Sequence, residues 1–454
     1  MAASGPHSPS ADTFPPGLNN AYLFAVFNAF SFQIVLNSPM VLYGKSLGAS
    51  ATVLGIIAGM MPLLVIFQIP AAQYINRVGY RRFVYAGWGT RVMFIFGMAL
   101  VPLTFFFLNP TTRLVLLLTL LFGFNLSRGI SSCAWLPWIS QLVPAAVRGH
   151  YLARDAACVN LASCVTFLLS ALCLVGTAQP WQFSVLFSFS AIMGAASLTF
   201  LKRIPDCEPP ERKETSRTPV PWGEIIRFAP FRKLLRMVVA WSVAYGGMTA
   251  FTVVFLKTET HLTESAILAV CSVSFLGGLC SLWFLGSRLD HLGSKPVLTF
   301  SLLTWLGIVA GWTLLAGGRL GVHLGIILAL QFLMGLFAAL VQMANTRLAM
   351  AVIPTMGRNH FFALYSVVGS LALGLSPILW GLLIDAVGSF TTHGMGLAWD
   401  RYTIFFAAAG LVMCAALALA VRLEEPKAAT MEQLLREILI QSPQRVWLRL
   451  WPRT

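Results

Sequence analysis

Residues 142–156 read LVPAAVRGHYLARDA, and residues 352–366 read VIPTMGRNHFFALYS. At a constant offset of 210 positions, Pro144 matches Pro354, Arg148 matches Arg358, His150 matches His360 and Ala153 matches Ala363. A second echo links NRVGYRR, 76–82, to DHLGSKP, 290–296, where Asn76, Gly79 and Arg81 match Asp290, Gly293 and Lys295 at an offset of 214. A generic basic turn explains each copy alone but not two pairs in register. The two halves are parallel copies of one unit.

Each copy lies between long apolar runs. About 20 apolar residues are what a helix needs to cross a bilayer, and twelve such runs are expected at 19–44, 51–75, 83–107, 113–138, 150–176, 181–202, 233–257, 264–287, 296–316, 321–346, 359–387 and 399–422. Pro39, Pro62, Pro70, Pro137, Gly374 and Pro377 lie inside them, which predicts kinked or tilted helices. The composition agrees: 57% of the 454 residues are hydrophobic and only 10% charged, too few charges to cover a soluble protein of this size. The resulting fold class is all-α integral membrane protein, twelve helices in two six-helix repeats.

The net charge of +15 suggests a polyanion ligand until the basic residues are sorted by loop. One set of loops holds 24 of the 31, the opposite set holds Lys45, Arg113, Lys257, Arg319 and Arg401, and Arg91 and Arg128 lie within apolar runs. The excess therefore orients helices, which places both termini in the cytoplasm of a plasma or bacterial inner membrane and removes nucleic acid as a partner. Domains are expected at 1–18 (a disordered Ser/Pro-rich tail), 19–202, 203–231 (a cytoplasmic linker rich in Pro and mixed charge), 232–422 and 423–454. In the last segment Met431, Leu434, Leu435, Ile438 and Leu439 form a helical apolar stripe that, with Trp447 and Trp451, suits the inner leaflet. The eight cysteines show no metal-ligand spacing and read as small buried hydrophobes. No cofactor or metal is expected, and the chain is expected to be monomeric.

Six plus six parallel helices, a cytoplasmic linker and these loops resemble the major facilitator superfamily of secondary transporters, over about residues 19–422. Its loop motif is roughly G-x-L-x-D-R-x-G-R-K. Gly286, Asp290, Gly293 and Lys295 match it in the second half; Arg77, Gly79 and Arg81 match it in the first, where Ala72 and Asn76 replace the Gly and the Asp. The resemblance implies a cytoplasmic gate at these residues, without the usual carboxylate partner in the first half. Arg148, Arg358 and Asp155 join this gate by position.

The resemblance also implies a central cavity lined by the first, fourth, seventh and tenth helices. Polar side chains in a bilayer are costly and face the protein interior, and these helices carry them in stripes: Gln33 and Asn37; Asn125, Arg128 and Ser132; Ser242, Tyr245, Thr249 and Thr252; Gln331, Gln342 and Asn345, beside Gly335. Any single amide or hydroxyl is explained as well by interhelical hydrogen bonding. Arg128 is harder to explain so, since a mid-helix Arg costs about 2.5–3.5 kcal/mol, and its repeat counterpart is Ala338. Arg91, on the third span, reads as structural. None of the sixteen acids falls at the centre of a span, which disfavours proton-driven export of cations. The expected function is secondary transport, by alternating access, of a small polar solute, with an anionic one favoured by Arg128. A non-transporting sensor on the same fold and a polytopic lipid-modifying enzyme are the alternatives; the enzyme would need a catalytic cluster or phosphate-cradling loop that the sequence lacks.

Overall fold

A computed structural model describes residues 17–143, 148–207, 227–285, 293–352, 358–394 and 396–423. Among these residues twelve helices are long and apolar enough to cross a membrane: α1 (Asn19–Ser46), α2 (Ala51–Ala71), α3 (Tyr80–Phe106), α4 (Pro110–Ile139), α5 (Arg148–Cys173), α6 (Pro180–Arg203), α7 (Ala229–Thr258), α8 (Glu264–Leu285), α9 (Ser294–Ala316), α10 (Leu324–Val352), α11 (Arg358–Val387) and α12 (Arg401–Val421). An antiparallel hairpin, β1 (Thr392–Gly394) with β2 (Leu397–Trp399), separates the last two helices. All twelve expected runs are present, and the largest boundary difference is at α10, which continues past residue 346 to Val352. The expected N-terminal tail (except its last two residues), most of the 203–231 linker, and the tail from 424 onward lie outside the described residues.

Prolines set the irregularities. Pro39 has no N–H to donate back to residue 35, so α1 breaks at Asn37, whose backbone is extended (φ −125°, ψ −155°). Its carbonyl accepts from the Met40 and Val41 amides and starts a second short segment. Gln33 and Asn37, expected one turn apart on a single face, are therefore separated by a helix break. Tight 3-10 turns follow Pro62 at Leu64–Phe67 and precede Pro137 at Ser132–Ala134.

The chain divides into two compact units, and the division falls within α1 and α2. The first holds the described residues of Met1–Leu36, Leu64–Leu174 and Ala178–Ser216. Its core is aromatic: Phe24, Trp88 and Trp135 meet with centroids 4.8–6.3 Å apart, and Trp138 is edge-on to Trp135. Trp138 donates to the Pro205 carbonyl at 3.1 Å and Trp88 to Asn28 Oδ1 at 3.2 Å, which satisfies both indole N–H groups inside the core. Small polar residues join the helices. Ser190 donates to the Ser31 carbonyl (2.7 Å) between α6 and α1, and Gly129 lies so close to the Leu64 carbonyl that a Cβ would overlap it.

The second unit holds Asn37–Leu63, Val175–Thr177 and the described residues from Arg217 on. Phe251, Phe255, Trp312, Tyr402, Phe405 and Phe406 form its aromatic core. Along a seam between the first half of α2 and α11, Gly55 and Gly59 face the carbonyls of Pro377 and Gly374, while Gly381 faces the carbonyl of Ala51. Any side chain at these glycines would force the backbones apart, as in small-residue packing between membrane helices. At one end of the seam the Asp385 carboxylate accepts from the amides of Ala51 (3.0 Å) and Thr52 (2.8 Å) and from the Thr52 hydroxyl (2.6 Å). Asp385 thus caps the N-terminus of α2 from 334 residues away.

Gly79 (φ 84°, ψ 154°) and Gly293 (φ 79°, ψ 165°) precede α3 and α9 in nearly the same left-handed conformation. They are the two glycines paired by the 214-residue echo, and only Gly adopts this region without strain.

Candidate functional site

The contact between α3 and α4 in the first unit is set by small residues. The Gly87 carbonyl accepts from Ser127 Oγ at 3.0 Å, a Cβ at Gly87 would strike the Ser131 side chain, and Gly123 lies against the ring of Phe94. These antiparallel contacts place Arg91, between positions 87 and 94, opposite the stretch of α4 that carries Phe124, Asn125 and Arg128. Arg91 is eleven residues into α3, roughly 16 Å at about 1.5 Å per residue, near the middle of a ~30 Å hydrocarbon layer.

Arg91 is 4% exposed, with its guanidinium carbon 4.5 Å from the centroid of Trp88 and 5.1 Å from that of Phe124. Its Nε and Nη1 are buried without a hydrogen-bond partner among the described residues. Cation–π contacts contribute about 0.5–2 kcal/mol each, enough to offset the ~2.5–3.5 kcal/mol insertion cost of one Arg. They leave the two unpaired donors, at about 1–3 kcal/mol apiece, uncompensated. The charged neighbour of Arg91 among the described residues is Arg128, of the same sign, on the facing stretch of α4. Arg128 is half-buried, and among the described residues its guanidinium has no hydrogen-bond or ion-pair partner. Beside it on α4, Asn125 is buried; its amide donates back to the Leu121 carbonyl (2.9 Å) and its Oδ1 is unpaired. Ser132 accepts from Gln68 Nε2 at 2.7 Å.

The other expected cavity residues divide. Gln33 is buried and donates to Ser163 Oγ, a helix-to-helix bond between α1 and α5. Gln331 donates to Cys271 Sγ at 3.5 Å, and Gly335, one turn on, abuts the Ser274 carbonyl, so this part of the α10 stripe is a contact with α8. Asn345 is buried with Oδ1 unpaired, whereas Gln342 is exposed. On α7, Tyr245 stacks on Trp241 (5.0 Å, 14°) and meets Trp305 edge-on at 5.6 Å. Ser242 and Thr252 are buried, and Thr249 is exposed.

Among the expected gate residues, Arg77 is exposed and Arg81 pairs with Asp206 at 3.2 Å. Asp206 follows α6 and supplies an acid to the first-half motif that Asn76 does not. Asp155 has a buried, unpaired Oδ1 and no ion-pair partner among the described residues; Arg154 lies over the Tyr22 ring at 4.8 Å. Tyr22 and Tyr151 have ring centroids 5.0 Å apart, and both hydroxyls are buried and unpaired. Lys295 lies in the first turn of α9. Gly286 and Asp290 lie outside the described residues, as do the side chains of Asn76, Arg148 and Arg358.

Sequence reasoning did not anticipate the aromatic cradle of Arg91 or the hydrogen bonds between Asp385 and Thr52. The i, i+3 spacing of Trp88 and Arg91 is the one signal in the sequence for the aromatic cradle; Phe124 and Thr52 are tertiary partners. Among the described residues no three potential metal ligands come together.

A family model described as Major Facilitator Superfamily matches residues 21–322 and 248–451. The staphylopine export protein of Staphylococcus aureus is 24% identical over 372 residues, 79% of this chain and 87% of that protein. Among solved structures, a D-xylose–proton symporter superposes with a TM-score of 0.70 at 13% identity, covering 91% of this chain and 98% of the other. A nucleoside transporter superposes with a TM-score of 0.65 at 10% identity, covering 90% and 100%. With a family match running nearly end to end and twelve membrane-length helices, the chain belongs to the Major Facilitator Superfamily and is a multi-pass membrane transporter rather than an enzyme.

Proposed function

We propose that the protein moves a small anionic solute by alternating access, with Arg128 as the cation that holds the solute. The observation that supports this is the unpaired charge of Arg128, part-exposed on α4 beside buried Asn125. A cation in that place, with no acid among the described residues to neutralise it, favours an anion over a neutral sugar or a cation. Within the first unit, Asn125 and Ser132 are the polar groups assigned to orient the solute; Gln33 and Gln331 serve as bonds between helices.

In this reading both termini are cytoplasmic. The gate comprises Asn76, Arg77, Gly79, Arg81, Arg148 and Asp155 in the first repeat and Gly286, Asp290, Gly293, Lys295 and Arg358 in the second. The α2–α11 seam closes the outer side, and rupture of the Asp385 cap accompanies its opening. The staphylococcal relative's role in export supports solute movement as the activity.

The test is uptake into proteoliposomes of purified protein, with organic anions, sugars and organic cations in parallel. Anion flux is expected in the unmodified protein and a loss of about tenfold or more in Arg128→Ala, the effect of one charge-assisted contact. Anion flux unchanged by Arg128→Ala, while another solute class is carried, overturns the assignment.

A further inference from the structure

We propose that Arg91 and Arg128 form one receptor between α3 and α4 for a doubly negative oxyanion, a dicarboxylate or a phosphate monoester; this rests on the reading of Arg128 given above. Arg91 contributes two buried donor nitrogens, Nε and Nη1, that no group among the described residues satisfies. An unpaired acceptor or donor at such depth marks a place where a partner is missing. The like-charged neighbour makes the deficit one of charge as well as of hydrogen bonds, because Arg128 stands on the facing helix and neither cation has a carboxylate partner among the described residues.

A monoanion neutralises one of the two cations and leaves the other. A dianion neutralises both and supplies enough acceptor oxygens for both guanidinium groups. The aromatic cradle gives Arg91 a fixed plane: Trp88 and Phe124 lie against it, and Trp88 is itself held through Nε1 to Asn28. Such a preset donor loses little freedom on binding. Arg128, part-exposed, is the entrance of the receptor, and Arg91, fully enclosed, is its floor. The close packing at Gly87 and Gly123 sets the register of α3 against α4 and puts Arg91 and Arg128 on facing stretches of the two helices.

Thermal unfolding of the detergent-purified full chain, titrated with succinate, glycerol phosphate, acetate and glycerol, tests the assignment. Succinate or glycerol phosphate is expected to raise the unfolding midpoint saturably, with acetate weaker and glycerol inert; which dianion is stronger identifies the oxygen geometry preferred. R91Q and R128Q are each expected to weaken dianion binding about tenfold or more, and the double variant little beyond the worse single, because the two act on one ligand. R91Q is expected to leave acetate binding nearly unchanged, whereas R128Q removes it. Dianion binding unaltered in R91Q but lost in R128Q overturns the receptor while the anion reading stands. A midpoint that responds to glycerol and to no anion overturns both. If R91Q is not monodisperse, R91K decides: it keeps the charge but not the planar fork, so weakened dianion binding with retained acetate binding upholds the receptor, and unchanged dianion binding overturns it.

Discussion

Asp385→Ala removes the cap that α11 places on the start of α2. Three hydrogen bonds are lost, two from backbone amides and one from a hydroxyl. An N-cap carboxylate replaced by Ala costs about 0.5–2 kcal/mol, and the hydroxyl bond adds about 1 kcal/mol more. Thr52 is part-exposed, so water recovers some of this, and a net loss of roughly 1–2 kcal/mol is expected in the closed seam alone, because in the alternating-access reading proposed above the open seam makes none of these bonds. At about 1.4 kcal/mol per decade, the ratio of open to closed seam rises about 5- to 30-fold. Nitroxide labels on Val53 and Leu382, in a background lacking the native cysteines, report the separation of α2 and α11 by pulsed dipolar spectroscopy. The variant is expected to gain a long-distance population, and Thr52→Val, which keeps both backbone bonds, a smaller one. A distance distribution unchanged within about twofold in Asp385→Ala refutes the latch, because a capping energy that small would leave the glycine packing to hold the seam unaided.

Four further outcomes follow from the same geometry. Gly59→Leu, whose side chain has to displace the Gly374 carbonyl, is expected to populate the separated seam more than Asp385→Ala does, read with the same labels. Gly129→Val brings a branched side chain against the Leu64 carbonyl and is expected to destabilise the first unit by about 1–3 kcal/mol, measured as a lowered unfolding midpoint in detergent. Arg81→Gln breaks an ion pair whose side chains are 42% and 41% exposed, so the midpoint is expected to move little, by less than about 1 kcal/mol equivalent. Gln33→Leu removes a buried bond to Ser163 and is expected to lower stability by about 1 kcal/mol while anion affinity in the titration stays unchanged; a selective loss of affinity would restore Gln33 to the cavity.

The twelve helices were legible because a membrane imposes a one-dimensional rule: a run of about 20 apolar residues is visible without knowing any contact. The repeat was legible for a similar reason, since Gly79 and Gly293 stand at fixed positions relative to a turn. The site was legible only in part. Spacing puts Asn125 and Arg128 on one side of α4, yet whether an amide serves a solute or a neighbouring helix depends on what lies opposite. Gln33 faces Ser163, 130 residues away, and Gln331 faces Cys271; neither partner follows from periodicity. Arg91 reads as structural from sequence because its span is peripheral in the family pattern. Its unsatisfied nitrogens appear only once Phe124 and Trp88 are seen beside it. The break at Asn37 shows a local rule outranking a global one: Pro39 interrupts a run that hydropathy treats as continuous.

Gly79 and Gly293 carry a lesson about inheritance. The segments around them have drifted, so that Tyr80 now follows one and Ser294 the other, while the backbone at each glycine has stayed within about ten degrees of its twin. What the two halves retain is a handedness at one joint, which an L-amino acid with a side chain resists and its mirror-image form accepts. Placing D-alanine at either joint by chemical ligation should leave the turn intact where L-alanine strains it, which would make the ancestry of the fold testable as stereochemistry.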